Sequence, residues 1–168
     1  MLKPYICVTC ERVIIEQVIP HAPNVTIPET HGPASLIGLF SKMYVTPITA
    51  PSGESPVVPP NAILPREWAI YTEWNTEPGD ENRRYVLAVQ IFYPDQTPFG
   101  ETTRAPINVE PNRRSQSIVR INGFPVGQAG MYTARVWIEE DQKTVAEPIN
   151  LSIELIFLRP DQNPRAQP

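Results

Sequence analysis

Two alternating segments near the C-terminal end constrain the fold of this chain more than any other feature. Both place apolar side chains at every second position, which is the period of a β-strand. The apolar sets are Tyr132, Ala134, Val136 and Ile138 in the first segment and Ile149, Leu151, Ile153, Leu155 and Phe157 in the second. A polar turn with Asp141 and Gln142 at its tip joins them. A hairpin with one apolar face needs another sheet to cover that face, so the pair predicts a two-layer β structure.

The rest of the chain supplies further strands and no helical period. Strand-like stretches lie at residues 6–19, 34–48, 66–74, 83–93, 99–103 and 115–124. The 21 prolines disfavour long helices and suit the connections and edge strands of a β protein. We therefore predict an all-β fold: a two-sheet antiparallel sandwich, immunoglobulin-like, with about seven or eight strands. Residues 105–114 are expected to cross between the sheets.

The length of 168 residues suits a single domain. We assign that domain to residues 1–158, with a proline-rich loop at 49–65 and a polar tail at 159–168. The loop is either a surface connection or an extended polyproline segment offered to a partner.

Two glycines predict local geometry. Gly130 stands two residues before Tyr132, the spacing of a tyrosine corner, in which the hydroxyl bonds to backbone a few residues upstream. That backbone would lie in residues 125–128. Gly38, in the middle of a strand, indicates either a bulge or the close approach of a neighbouring backbone.

Charge and hydropathy argue against two classes of partner. The formal net charge is −4 and the pI about 5.2, whereas proteins that grip phosphate backbones carry a basic excess. We expect no nucleic-acid partner. No apolar run approaches the roughly 20 residues that span a bilayer, so we expect no membrane partner. The N-terminal residues lack a secretory signal, which predicts a cytoplasmic location with reduced thiols.

Cys7 and Cys10 form the one chemical motif, Cys-x-x-Cys. Zinc sites use this spacing when a turn brings both sulfurs to the metal. In a strand, however, residues three apart point to opposite faces and lie about 10 Å apart. Adding His21 and His31 does not reproduce a zinc-finger spacing. We therefore expect both cysteines to be buried strand residues. The alternative is a metal-binding or thiol-redox protein that uses them.

No enzyme is predicted, and no cofactor. A nucleophilic triad needs a histidine, and both histidines fall in one loop without a G-x-S-x-G elbow. A pair of catalytic carboxylates, as in glycosidases, would have to come from glutamates on strands. We interpret each of these glutamates as a polar residue on the outward face of its strand. These are Glu67, Glu73, Glu139 and Glu154.

Trp137 lies on the polar side of its strand beside Arg135. Tryptophan, tyrosine and arginine are frequent interface anchors, so these two residues predict a protein-interaction face. Tyr71 would join them if the two strands share a sheet. The competing interpretation is that a loop or a neighbouring strand covers Trp137. We expect a non-catalytic protein-binding or structural module with an unidentified protein partner.

Several segments together resemble a family of small uncharacterised bacterial proteins, a domain of unknown function. They are Cys-Glu-Arg-Val at residues 10–13, Ser-Leu-Ile-Gly-Leu-Phe at 35–40, Tyr-Pro-Asp at 93–95, and Phe124-Pro125 leading to Gly130 and Tyr132. The resemblance covers residues 7–155. It implies an immunoglobulin-like sandwich and brings no activity. The chain departs from that pattern in its proline-rich loop and in an Asp-Gln turn where the family has Asp-Gly.

Overall fold

The computed structural model describes residues 2–15, 34–45, 58–109 and 114–158. They form ten strands and one short 3₁₀ turn, at Asp80–Asn82. The strands are β1 (Lys3–Ile15), β2 (Ala34–Leu39), β3 (Lys42–Val45), β4 (Ile63–Asn75), β5 (Tyr85–Phe92), β6 (Pro98–Ile107), β7 (Arg114–Pro125), β8 (Gly130–Glu140), β9 (Lys143–Thr144) and β10 (Ile149–Phe157). The polar tail at 159–168 and most of the proline-rich loop, residues 49–57, lie outside the described residues.

The strands form a two-sheet sandwich, which confirms the predicted fold class. The four-stranded sheet has the order β2-β1-β4-β7. The six-stranded sheet has the order β3-β10-β8-β5-β6, and β9 also pairs with β8. As predicted, the chain changes sheets between β6 and β7. The described residues form ten strands rather than seven or eight, and β3 pairs with β10 in parallel, so the sandwich is not antiparallel throughout.

The stretch predicted as one strand at residues 34–48 is two strands in different sheets. The Phe40 N–H donates to the Thr9 carbonyl oxygen at 3.3 Å, and the Glu154 N–H donates to the Ser41 carbonyl oxygen at 2.8 Å. The crossover at 40–41 therefore joins one sheet to the other. Gly38 precedes it with a φ of 65°, beside the Glu11 side chain, which matches the irregularity predicted there.

β4 begins at Ile63, inside the stretch predicted as loop. Pro65 is tolerated because the pairing of β4 with β7 shifts between Leu64 and Glu67, and proline has no N–H to contribute there. The residues just before β4 are fixed by a turn and by β7. Ala62 donates to the Pro59 carbonyl oxygen and Val126 donates to that of Ala62, both at 2.9 Å.

The main core lies between the sheets and contains the predicted apolar face of β8. Trp68, Phe124 and Tyr132 are fully buried, and the Phe124 ring contacts the other two at a tilt, with ring centroids 5.7 and 5.1 Å apart. The Trp68 indole N–H donates to the Gly123 carbonyl oxygen at 3.1 Å, so its polar atom is satisfied. Burial of each such side chain contributes about 1.5–3 kcal/mol. This core fixes which face of each strand remains available for binding.

A second, smaller cluster lies on the outer face of the four-stranded sheet. Cys10, Ala69 and Tyr71 are buried there, with Val8 and Ile118 packed against them. Residues 68–72 of β4 are consequently buried on both faces. The outer face of that sheet therefore buries an apolar cluster of its own, separate from the inter-sheet core.

The hairpin tip follows the prediction. Asp141 and Gln142 both have positive φ, 50° and 63°, as in a two-residue turn of the I′ type. Aspartate and glutamine adopt this conformation less readily than glycine, so the turn is held by the strands that flank it.

Candidate functional site

Arg135 and Trp137 lie on the outer face of the six-stranded sheet, as the alternation predicted. Their neighbours Val136 and Ile138 are fully buried in the core, which turns the two side chains outward. Both are half-buried rather than fully exposed. Each side chain is held in place by contacts with its neighbours on the sheet.

Arg135 is held by an aromatic ring and an amide. Its guanidinium carbon lies 4.9 Å from the centre of the Phe92 ring on β5. Its Nε donates to Oδ1 of Asn150 on β10 at 3.3 Å. Arginine stacks on aromatic faces while its remaining N–H groups stay available as donors. The side chain thus spans three strands in one orientation.

Trp137 is held through a carboxylate. Its indole N–H donates to Oε1 of Glu139 at 2.9 Å. Glu139 is 9% exposed and also accepts from Arg104, whose Nε and terminal nitrogen lie 2.9 and 3.3 Å from its two oxygens. The hydrogen bond from Arg104 lowers the pKa of Glu139 below its usual value, and that from Trp137 adds to the effect. The carboxylate stays ionised and fixes the indole.

Tyr71 does not join this pair, which corrects the grouping predicted from the sequence. It belongs to β4 in the four-stranded sheet, whereas Trp137 belongs to β8 in the other sheet. Tyr71 is 1% exposed, and its hydroxyl donates to Glu73. Burial raises its pKa, and the Glu73 carboxylate raises it further. It is a packing residue of the smaller cluster.

Cys7 and Cys10 lie on opposite faces of the four-stranded sheet, as the strand period predicted. Cys7 packs against the main core, and burial raises its pKa to about 12. Cys10 belongs to the smaller cluster, where its Sγ donates to the Ala69 carbonyl oxygen at 3.7 Å and burial raises its pKa. Because the sheet separates the two sulfurs, they do not form the two-thiolate half of a zinc site.

Histidine partners for these thiols cannot be placed, because His21 and His31 lie outside the described residues. Among the residues that are described, no three His, Cys, Asp or Glu side chains converge as metal ligands.

The four strand glutamates from which a catalytic carboxylate pair would have to come are divided between the two sheets. Glu67 and Glu73 lie on β4, and Glu139 and Glu154 lie on β8 and β10. Three of them face cations: Glu73 lies 3.7 Å from Arg114, Glu139 pairs with Arg104, and Glu154 lies 3.1 Å from Lys42. These ion pairs give the carboxylates structural partners.

A cleft at one side of the sandwich was not predicted. It has a volume of about 350 Å³ and lies between β1, β10 and the crossover. Three chain segments line it: residues 7–9, 39–41 and 150–152. They are distant in sequence, and no local pattern indicated that they would meet.

A buried aspartate was also missed. Asp80, 2% exposed in the 3₁₀ turn, accepts from the Glu77 N–H at 2.9 Å and from the Tyr85 hydroxyl at 2.7 Å. The sequence showed only a polar turn there. These bonds satisfy the carboxylate and fasten the turn to the start of β5, so its role is structural.

The chain was compared with protein-family models and with curated proteins. No protein-family model matches the chain, and no curated protein matches it. In the described residues, no helix has the length and apolar character required to cross a bilayer.

Proposed function

We propose that the chain is a non-catalytic protein-binding module whose binding surface is the outer face of the six-stranded sheet around Trp137 and Arg135. The surface is preformed. Each anchor is already held by neighbours on the same sheet: Arg135 by Phe92 and Asn150, and Trp137 by Glu139. This preformed pair is the observation that carries the proposal.

Fixed anchors favour binding because ordering a mobile side chain costs about 0.5–1.5 kcal/mol at an interface. Tryptophan and arginine are enriched among residues that dominate binding energy. The Trp137 ring offers apolar area, and Arg135 keeps free donors for a carboxylate or carbonyl of the partner. A protein surface with an acidic or carbonyl group beside an apolar patch fits this pair.

We further propose that the sandwich is immunoglobulin-like. The order β10-β8-β5-β6 has the sequence relationships of strands G, F, C and C′ of a variable-type domain, and the β4–β7 pair those of strands B and E. On this alignment β1 is an additional strand between β2 and β4. The proposed setting is the bacterial cytoplasm, and the family resemblance supports it.

Affinity purification from the source cell tests the binding proposal. Wild type, Trp137→Ala and the control Tyr5→Ala are used as baits, since Tyr5 is a 50% exposed aromatic residue on the other sheet. A partner enriched by wild type and control is then purified and titrated. We expect Trp137→Ala to weaken binding at least about tenfold, the effect of a hot-spot residue. Enrichment of no partner, or equal binding by the Trp137 variant, would overturn the proposal.

A further inference from the structure

Among the described strands, part of β10 has a partner on one side only, and we call its other side the open edge. β3 pairs with residues 154–157 of β10, and in the described part of the chain residues 149–153 pair with β8 alone. The Glu154 N–H donates to the carbonyl oxygen of Ser41 in the crossover, and the Leu158 N–H donates to that of Val45 in β3. Because alternate residues of a strand direct their backbone groups to the same side, Asn150 and Ser152 also face that side. Their N–H and C=O groups therefore point toward the open edge.

The open edge borders the cleft. Residues 7–9 of β1 form the opposite wall, and the end of β2 with the crossover, residues 39–41, closes one end. Phe40 and Leu151 pack against the main core and form an apolar floor, and the Cys7 thiol beside them stays neutral. The cleft thus joins a row of backbone donors and acceptors to an open groove with an apolar floor.

Two other edges, that of β6 and the start of β1, carry features that block pairing with a further strand. β6 has Pro98 and Pro106 with charged residues between them, and β1 has Pro4 followed by a shift in its pairing with β4. Proline, charge and irregular pairing are the devices by which edge strands avoid association. Residues 149–152 have none of them, and the two outward side chains, Asn150 and Ser152, are small and uncharged.

We propose that an extended segment of a partner protein adds to β10 as a further strand, pairing with the backbone of Asn150 and Ser152. One apolar side chain of that segment enters the cleft above Phe40 and Leu151. An extended backbone is the occupant because only it offers donors and acceptors at the two-residue spacing of this edge, about 7 Å. The site shares Asn150 with the outer face, where its side chain holds Arg135, but it uses the backbone of that residue. It does not rest on the binding proposed for the outer face.

Peptide titration with backbone detection tests this. The probes are capped hexapeptides of alternating Thr and Val, Leu or Phe, each compared with versions N-methylated on one or the other alternating set of amides. We expect amide exchange at Asn150 and Ser152 to slow at least about tenfold at about 1 mM peptide. One methylated set should abolish the effect, because its N–H groups face β10.

A pair of variants separates backbone from side chain. Ser152→Pro removes the N–H that faces the edge, whereas Ser152→Ala keeps it. We expect the proline variant to bind the peptide about tenfold more weakly and the alanine variant within about twofold of wild type. Trp137→Ala should bind this peptide unchanged, so failure here is distinguishable from failure of the outer-face proposal.

If Ser152→Pro does not fold, the methylated peptides carry the test alone. No protection at Asn150 and Ser152 by any of the peptides, or equal binding of both methylated sets, would overturn the proposal. Protection of the same amides by self-association without peptide would also overturn it, since the occupant would then be a second copy of the chain.

Discussion

The Tyr132 hydroxyl donates a hydrogen bond to the carbonyl oxygen of Gln128 at 2.8 Å, and the Gln128 N–H donates to the same hydroxyl at 3.3 Å. The tyrosine is fully buried, with its ring against Phe124 and Tyr93. This confirms the tyrosine corner and its predicted partner within residues 125–128. The corner fixes the entry of the chain into β8, and with it the face on which Arg135 and Trp137 lie.

Removing the hydroxyl should destabilise the fold without changing its core. We expect Tyr132→Phe to lower the free energy of unfolding by about 1–2 kcal/mol, because the Gln128 N–H and carbonyl lose their partner while the ring is retained. Urea unfolding should show a lower midpoint with an unchanged slope. Tyr44→Phe, on a 58% exposed tyrosine, is the control and should leave the midpoint in place. Equal midpoints for both variants would contradict a structural role for the corner.

The thiols should be unreactive in the folded protein. The thiolate is the reactive form, and burial raises the pKa of Cys7 to about 12 and also raises that of Cys10. At pH 8 we expect Ellman's reagent to label both cysteines slowly in the native protein and rapidly in denaturant. Fast labelling of the native protein, or zinc retained by anaerobically purified protein at one equivalent, would instead support the thiol or metal alternative.

The Arg104–Glu139 pair should contribute stability that depends on pH. The pKa of Glu139 is lowered from 4.5 in the folded state, chiefly by the Arg104 hydrogen bond. Its contribution is therefore complete above about pH 4.5 and is lost as the pH falls below that value. Because Arg104 is half-exposed, we expect Glu139→Gln to cost about 1 kcal/mol at pH 7.

Urea unfolding at pH 7 and pH 3 checks this dependence. The difference in unfolding free energy between wild type and Glu139→Gln should shrink at pH 3. Glu147→Gln, at an exposed glutamate, should show little difference at either pH. A Glu139→Gln deficit that stays constant or grows on acidification would show that the ionised carboxylate is not its cause.

Gly127 should not tolerate a side chain. A Cβ at this position would lie 1.9 Å from the Pro60 carbonyl oxygen, a backbone atom that cannot easily move. We expect Gly127→Ala to cost about 2–3 kcal/mol. Gly100→Ala is the comparison, since its Cβ would meet open space and only its φ of 63° is unfavourable, at about 1 kcal/mol. Thermal unfolding of both variants measures the difference, and equal costs would contradict the tight contact.

The alternation of β8 and β10 was sufficient to predict the core face of both strands. One face is uniformly apolar, and a shift by one residue would expose all of it, so the pattern allows a single orientation. Residues 34–48 gave no such guide. Both faces near Gly38 are apolar, and the pattern could not reveal that the chain leaves one sheet at Phe40 and joins the other at Ser41.

The sequence predicted the position of two of the three residues in the proposed interaction face, and it misplaced the third. Arg135 and Trp137 share an outer face because they are two residues apart on one strand, which the sequence shows directly. Tyr71 was grouped with them on the assumption of a shared sheet. Tyr71 pairs with Ile118 and Trp137 with Ala88, in each case more than forty residues away, and no local pattern encodes these partnerships.

The sequence by itself determined which way each side chain points: Cys7 and Cys10 on opposite faces, Tyr132 inward at its corner, and Trp137 outward. This is so because the two-residue period of a strand is a local property of the backbone. Only the tertiary structure decided that β3 runs parallel to β10, that Tyr71 lies in the other sheet, and that residues 149–153, beside a cleft, pair with β8 alone among the described strands. These depend on which distant strands obtain the available sheet edges, since backbone hydrogen bonding is nearly the same for every strand and leaves that choice to the packing of the whole chain.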